Sequence, residues 1–117
     1  MKYYSTNKKA PMATLNEAVV KGLAGDRGLY MPEGIKPLPK EFFDNIDKLT
    51  FQEISFTVAK AFFGEDVNED DLKNIVYDTL QFDCPVVEVK ENIYSLELFH
   101  GPTLAFKDVG ARFMARL

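Results

Sequence analysis

The sequence predicts a mixed α/β chain, an α+β-like unit of several helices and short strands, on three observations. Two Thr-x-x-Glu capping boxes, Thr14 to Glu17 and Thr50 to Glu53, each open a helical run: the hydroxyl serves an orphan amide and the glutamate reaches back. Asn68 followed by Glu69, Asp70 and Asp71 marks another helix start, where an amide oxygen caps and negative charge suits the dipole. The β-favouring runs Val86-Val87-Glu88-Val89 and Ile93 to Leu98 read as two strands joined by a turn at Glu91-Asn92.

In chain order, Lys2 to Ser5 is a short strand carrying Tyr3 and Tyr4. A helix from the first capping box runs to about Lys21, where Gly22 and Gly25 break it. Asp26-Arg27-Gly28 is a turn, and Leu29-Tyr30-Met31 a short buried strand closed by Pro32. Prolines 32, 37 and 39 make a stiff connector, and a helix carrying Phe42, Phe43 and Ile46 begins at Pro39. The second capping box opens a helix with apolar or small residues at 51, 54, 55, 58, 59 and 62, ended by Gly64. The Asn68 helix turns Leu72, Ile75, Val76 and Leu80 inward. After Pro102 the pattern is helical again, with Phe106, Phe113, Met114 and Leu117 on one side.

Composition narrows the function. The chain has 117 residues, room for one modest core, and 46% hydrophobic with 27% charged residues is globular rather than disordered. Net charge is −4 with no dense Lys/Arg patch, which argues against nucleic-acid and membrane-surface binding. One cysteine, Cys84, cannot form an internal disulfide, and the polar start MKYYSTNKKAPM is no signal peptide. No apolar run approaches a membrane span. A soluble, cytoplasmic protein is expected.

Few residues carry chemistry. Lys107 sits among apolar neighbours; desolvation would favour the neutral amine that Schiff-base chemistry requires, although spacing alone favours a lysine snorkelling from an amphipathic helix. His100, the only histidine, reads better as a structural residue by a Gly-Pro turn than as an acid or base, since no serine, cysteine or second histidine pairs with it. One His and one Cys make a transition-metal site improbable, and Cys84 reads as a small core residue. The acids at 65, 66 and 69 to 71 lack calcium-loop spacing, and Gly22, Gly25 and Gly28 lack the setting of a phosphate cradle.

Three stretches, MKYYSTNKKAP, EAVVKGLAGDRGLYMPEGI and LELFHGPTLAFKDVGARFMA, carry a resemblance over the whole chain. They resemble, in order, the N-terminal part of the threonine synthase family, pyridoxal phosphate (PLP) enzymes of fold type II. One departure is Arg27, where the family often has glycine; a bulky side chain there is expected to need a different turn type. The resemblance implies that Lys107 is the catalytic and cofactor-binding residue, the Schiff-base lysine that also moves protons. It implies conversion of O-phosphohomoserine and water to threonine and phosphate, with the cofactor as electron sink. Thr103, Phe106 and Asp108 are expected around Lys107: Ala105 and Phe106 to lower its solvation, Asp108 to orient the backbone or pair with Arg112. No metal is implied. Residues 1–94 would form the N-terminal domain and 95–117 the start of the PLP-binding catalytic domain.

The resemblance further implies that the phosphate-binding loop and the partner of the pyridine nitrogen lie beyond Leu117, so the chain is expected to be an inactive fragment. Phe113, Met114 and Leu117 would then leave an orphaned apolar face and drive weak self-association. Two rival readings stand beside this one: another fold-type-II PLP lyase or synthase, and a non-catalytic interaction domain with Lys107 on its surface.

Overall fold

The computed structural model describes residues 1–117. Strand β1 (Tyr3–Ser5) pairs antiparallel with β2 (Tyr30–Pro32), Tyr4 opposite Met31, and Tyr3 also bridges to Ala13. Helix α1 (Leu15–Lys21) lies between them in chain order, with both halves of the Thr14 capping box formed and Gly22 closing it at φ 69°. The turn after α1 ties this ribbon together. Asp26 Oδ1 accepts from Ser5 Oγ at 2.6 Å and Gly28 N at 3.0 Å, while Oδ2 accepts from Lys9 N and Ala10 N, both at 2.9 Å. A Cβ on Gly28 would lie 2.0 Å from Ser5 Oγ, so only glycine fits there.

Two expectations for this region change. Arg27 does not force another turn; it takes the left-handed conformation itself, at φ 68°, held by the Asp26 network on either side. The strand after it is not buried: Leu29 is 59% and Met31 43% exposed, because a two-stranded ribbon has no layer over that face.

Helix α2 (Lys40–Asp44) follows Pro39, then a 3₁₀ turn spans Ile46–Lys48. Helices α3 (Phe51–Phe63) and α4 (Glu69–Thr79) form the core. Thr50 and Glu53 complete the second capping box, and Asn68 Oδ1 accepts from Asp70 N at 2.9 Å. Leu72 and Val76 are fully buried with Ala59 and Leu80; Phe51, Phe56 and Phe63 pack around them. Gln52 Nε2 donates to Leu80 O at 2.9 Å, so the start of α3 caps the end of α4.

Strands β3 (Val86–Lys90) and β4 (Ile93–Leu96) form a separate antiparallel hairpin with a bulge between Glu88 and Lys90 and Asn92 at φ 61°. The second strand stops at Leu96 rather than Leu98, though Glu97 N still donates to Pro85 O at 2.9 Å. The division expected between residues 94 and 95 falls inside β4. Val86, Val89, Ile93, Tyr94 and Leu96 are all exposed. The radius of gyration, 16.3 Å, exceeds the roughly 13–14 Å of a compact domain this size, so the chain is elongated. Cys84 is half-buried, and burial together with Asp83 raises its thiol pKa. Helix α5 (Lys107–Arg116) lies against α4. No helix is long and apolar enough to cross a membrane.

Two outcomes are expected. Leu72→Ala lowers unfolding free energy by about 2–5 kcal/mol in denaturant titration, through lost burial and a residual cavity. The hydrogen bond from Ser5, with those from Gly28, Lys9 and Ala10, lowers the Asp26 pKa from 3.8 to about 2. A lowered folded-state pKa stabilises above 3.8, and that contribution is lost as pH falls through about 2. Asp26→Asn should therefore flatten the stability–pH curve in that window, read by thermal melts.

Candidate functional site

The residues singled out around Lys107 come together in one loop and the first turn of α5. Residues 101–104 make a turn, with Leu104 N donating to Gly101 O at 3.0 Å. Leu104 is left-handed, at φ 56°, and 75% exposed. Phe106 stands at the N-cap without any side-chain cap bond, and Lys107 is the first helical residue. The Lys107 side chain is exposed and takes part in none of the chain's ion pairs.

Asp108 bonds backwards from the first turn of α5 to the loop before it. It is 3% exposed, and its Oδ2 accepts from Thr103 N at 2.9 Å. A Cβ on Gly101 would lie 2.5 Å from that oxygen and 2.6 Å from Asp108 Cβ, so the carboxylate fills the space that glycine leaves. The hydrogen bond from Thr103 joins the Asp108 carboxylate to the backbone of the preceding loop. The pair with Arg112 is not formed: Arg112 Nη2 instead donates to Asp78 O at 3.1 Å, in the last turn of α4. Terminal carbonyls of a helix have no intrahelical donor, so they draw in this guanidinium. Arg116 Nε bonds the Asp78 carboxylate and Arg116 Nη1 donates to Arg112 O at 3.1 Å, completing a clasp between α4 and α5.

The apolar stripe of α5 also divides. Val109 and Phe113 pack on the core, and the Phe113 ring lies 5.2 Å from that of Phe63, so this face has a partner within the chain. Phe106 is 66% and Met114 58% exposed. The α3–α4 core takes in Val109 and not Phe106, and Ala105 and Phe106 do not enclose the lysine, which is exposed. His100 Nε2 lies 2.6 Å from Glu97 Oε2 and its ring stacks on Phe99 at 4.8 Å. Sequence reasoning missed that partner, although the i,i+3 spacing of Glu97 and His100 was a usable signal. It also missed Asp78 and the close contact of Gly101 with the Asp108 side chain.

The threonine synthase N-terminus family model matches residues 2–80. The chain belongs to the threonine synthase family. It is 37% identical to threonine synthase from Buchnera aphidicola subsp. Baizongia pistaciae over 118 residues, covering 100% of this chain and 27% of that relative. Against threonine synthase from Escherichia coli (strain K12) identity is 36%, with the same coverage. The crystal structure of the Escherichia coli enzyme superposes with a TM-score of 0.90 at 36% identity, over 99% of this chain and 27% of that one. An X-ray crystal structure of PLP-bound threonine synthase from Brucella melitensis superposes with a TM-score of 0.89 at 36% identity, over 99% and 26%. The chain thus spans about a quarter of the length of the curated relatives it matches, and its mixed α/β fold is that of the corresponding part of the family's structures.

The clasp yields a test. Arg112→Ala should weaken the seating of α5 on α4 by about 1 kcal/mol, seen as faster amide hydrogen exchange confined to residues of α5.

Proposed function

We propose that this chain is the N-terminal part of a threonine synthase that, at full length, converts O-phosphohomoserine and water to threonine and phosphate. Pyridoxal phosphate is its cofactor and Lys107 its covalent anchor. Membership of the family supports the activity, and the PLP-bound relative supports the cofactor.

The observation that carries the assignment of Lys107 is its place in the stretch LELFHGPTLAFKDVGARFMA, by which the chain resembles the family, and its setting is compatible with that role. It begins a helix whose orientation the core defines, and its amine is exposed and bound in no ion pair. A primary amine free of partners fits an aldehyde-bearing cofactor. When bound, pyridoxal phosphate supplies an electron sink for carbanion chemistry. The chain's own residues do the rest of what can be derived for this segment. Lys107 Nζ would hold the cofactor and would be the amine placed to take up and return protons beside it. Asp108 and Gly101 hold the loop from which the lysine projects. The amino end of α5 is no place for the cofactor phosphate, because the Asp108 carboxylate already lies there and would repel an anion. A phosphate cradle and a partner for the pyridine nitrogen would then come from other parts of the full-length protein. On this reading residues 1–117 alone release no phosphate from O-phosphohomoserine.

The test uses the full-length protein. Borohydride reduction followed by peptide mass mapping should place the cofactor on Lys107, and Lys107→Ala should lower phosphate release by about 10²–10⁴-fold or more. Undiminished turnover in Lys107→Ala, or turnover by residues 1–117 alone, would overturn the proposal.

A further inference from the structure

Three features converge on the six residues before Lys107. The Asp108 carboxylate is buried, and its one hydrogen bond runs backwards, to the amide of Thr103. Gly101 is buried against that carboxylate at a distance no side chain could tolerate. Between them Leu104 holds a left-handed backbone, which non-glycine residues adopt only when their surroundings impose it. Leu104 has an exposed side chain, so packing of that side chain does not impose the conformation. Its amide donates to Gly101 O at 3.0 Å, and the preceding Thr103 amide is held by Asp108.

We infer that Asp108 is a positioning residue for Lys107: by clamping Thr103 and Gly101 it holds the 101–106 loop and thereby sets where the first turn of α5 presents the lysine amine. The physical case is one of direction. An ordinary N-cap residue precedes the helix and bonds forward to its free amides, but Phe106 makes no such bond. The helix instead holds its own preceding loop from its second residue, Asp108. A carboxylate suits this place twice. It bonds more strongly to an amide than a neutral oxygen would, and it lies at the positive end of a helix dipole. Loss of the clamp frees the loop and widens the range of positions open to Lys107, while the α3–α4 core, which contains no residue of the loop, is untouched. Misplacement of a reacting group by about 1 Å can lower rates by about a hundredfold.

This inference rests on the assignment of Lys107 above, and its test separates the two. In the full-length protein stripped of cofactor, pyridoxal phosphate is added back. Its incorporation is followed by visible absorbance and by borohydride trapping with peptide mapping. Four variants are compared: Lys107→Ala, Asp108→Leu, Asp108→Asn and Gly101→Ala. Circular dichroism melts report whether each is folded. Asp108→Leu should slow incorporation at Lys107 about tenfold or more. Gly101→Ala, which displaces the carboxylate by another route, should do the same and carries the test if Asp108→Leu fails to fold. Asp108→Asn keeps an acceptor oxygen and should stay within about threefold of wild type. Wild-type incorporation in folded Asp108→Leu or Gly101→Ala would overturn the inference, as would Asp108→Asn behaving like Asp108→Leu. Cofactor trapped as well in Lys107→Ala as in wild type would overturn the assignment of Lys107, and the role of Asp108 with it.

Discussion

The packing of α4 into α3 is the constraint on which the rest of the structure depends. Leu72 and Val76 are the largest apolar side chains fully removed from water, and they meet Ala59, a small residue that lets the two helices approach. Everything that orients Lys107 is built on this contact. Val109 and Phe113 lay α5 against it, and Arg112 and Arg116 fasten α5 to the last turn of α4. The clamp at Asp108 then connects the start of α5 to the loop before it. The lysine therefore takes its position from a core formed some thirty to fifty residues upstream.

The remaining parts are held by different physics. The β1–β2 ribbon buries little, and its coherence comes from one carboxylate, Asp26, which gathers a hydroxyl and three backbone amides from two segments. Hydrogen bonds to a charged acceptor are the stronger kind, which suits a unit with little apolar area to bury. The β3–β4 hairpin has neither resource. Its valines, isoleucine and leucine are exposed, and hydrogen bonding between its two strands is what defines it.

Much of the helical structure was legible in the sequence. The Thr14, Thr50 and Asn68 caps and the stripe on α4 all appear where local spacing placed them. The site was legible only in part. The Thr103 amide donates to Asp108, and Lys107 adjoins Asp108 in the first turn of α5, all within a few residues of one another in the chain. Phe106 faces outward against expectation, and Arg112 leaves Asp108 for a carbonyl 34 residues away. Spacing within a helix can propose the Asp108–Arg112 pair, but it cannot weigh that pair against a competing acceptor supplied by another helix.

What the sequence determined by itself is therefore local: where helices start and stop, where turns interrupt them, and which lysine sits in a distinctive setting. Capping and periodicity act over a few residues, so they can be read without the fold. Tertiary structure alone decided which face of α5 is inside, which acceptor each arginine takes, that Asp26 is a hub and that Asp108 holds its own preceding loop. Those outcomes are choices among several partners of similar chemistry, and only the packing of distant segments brings one of them within reach.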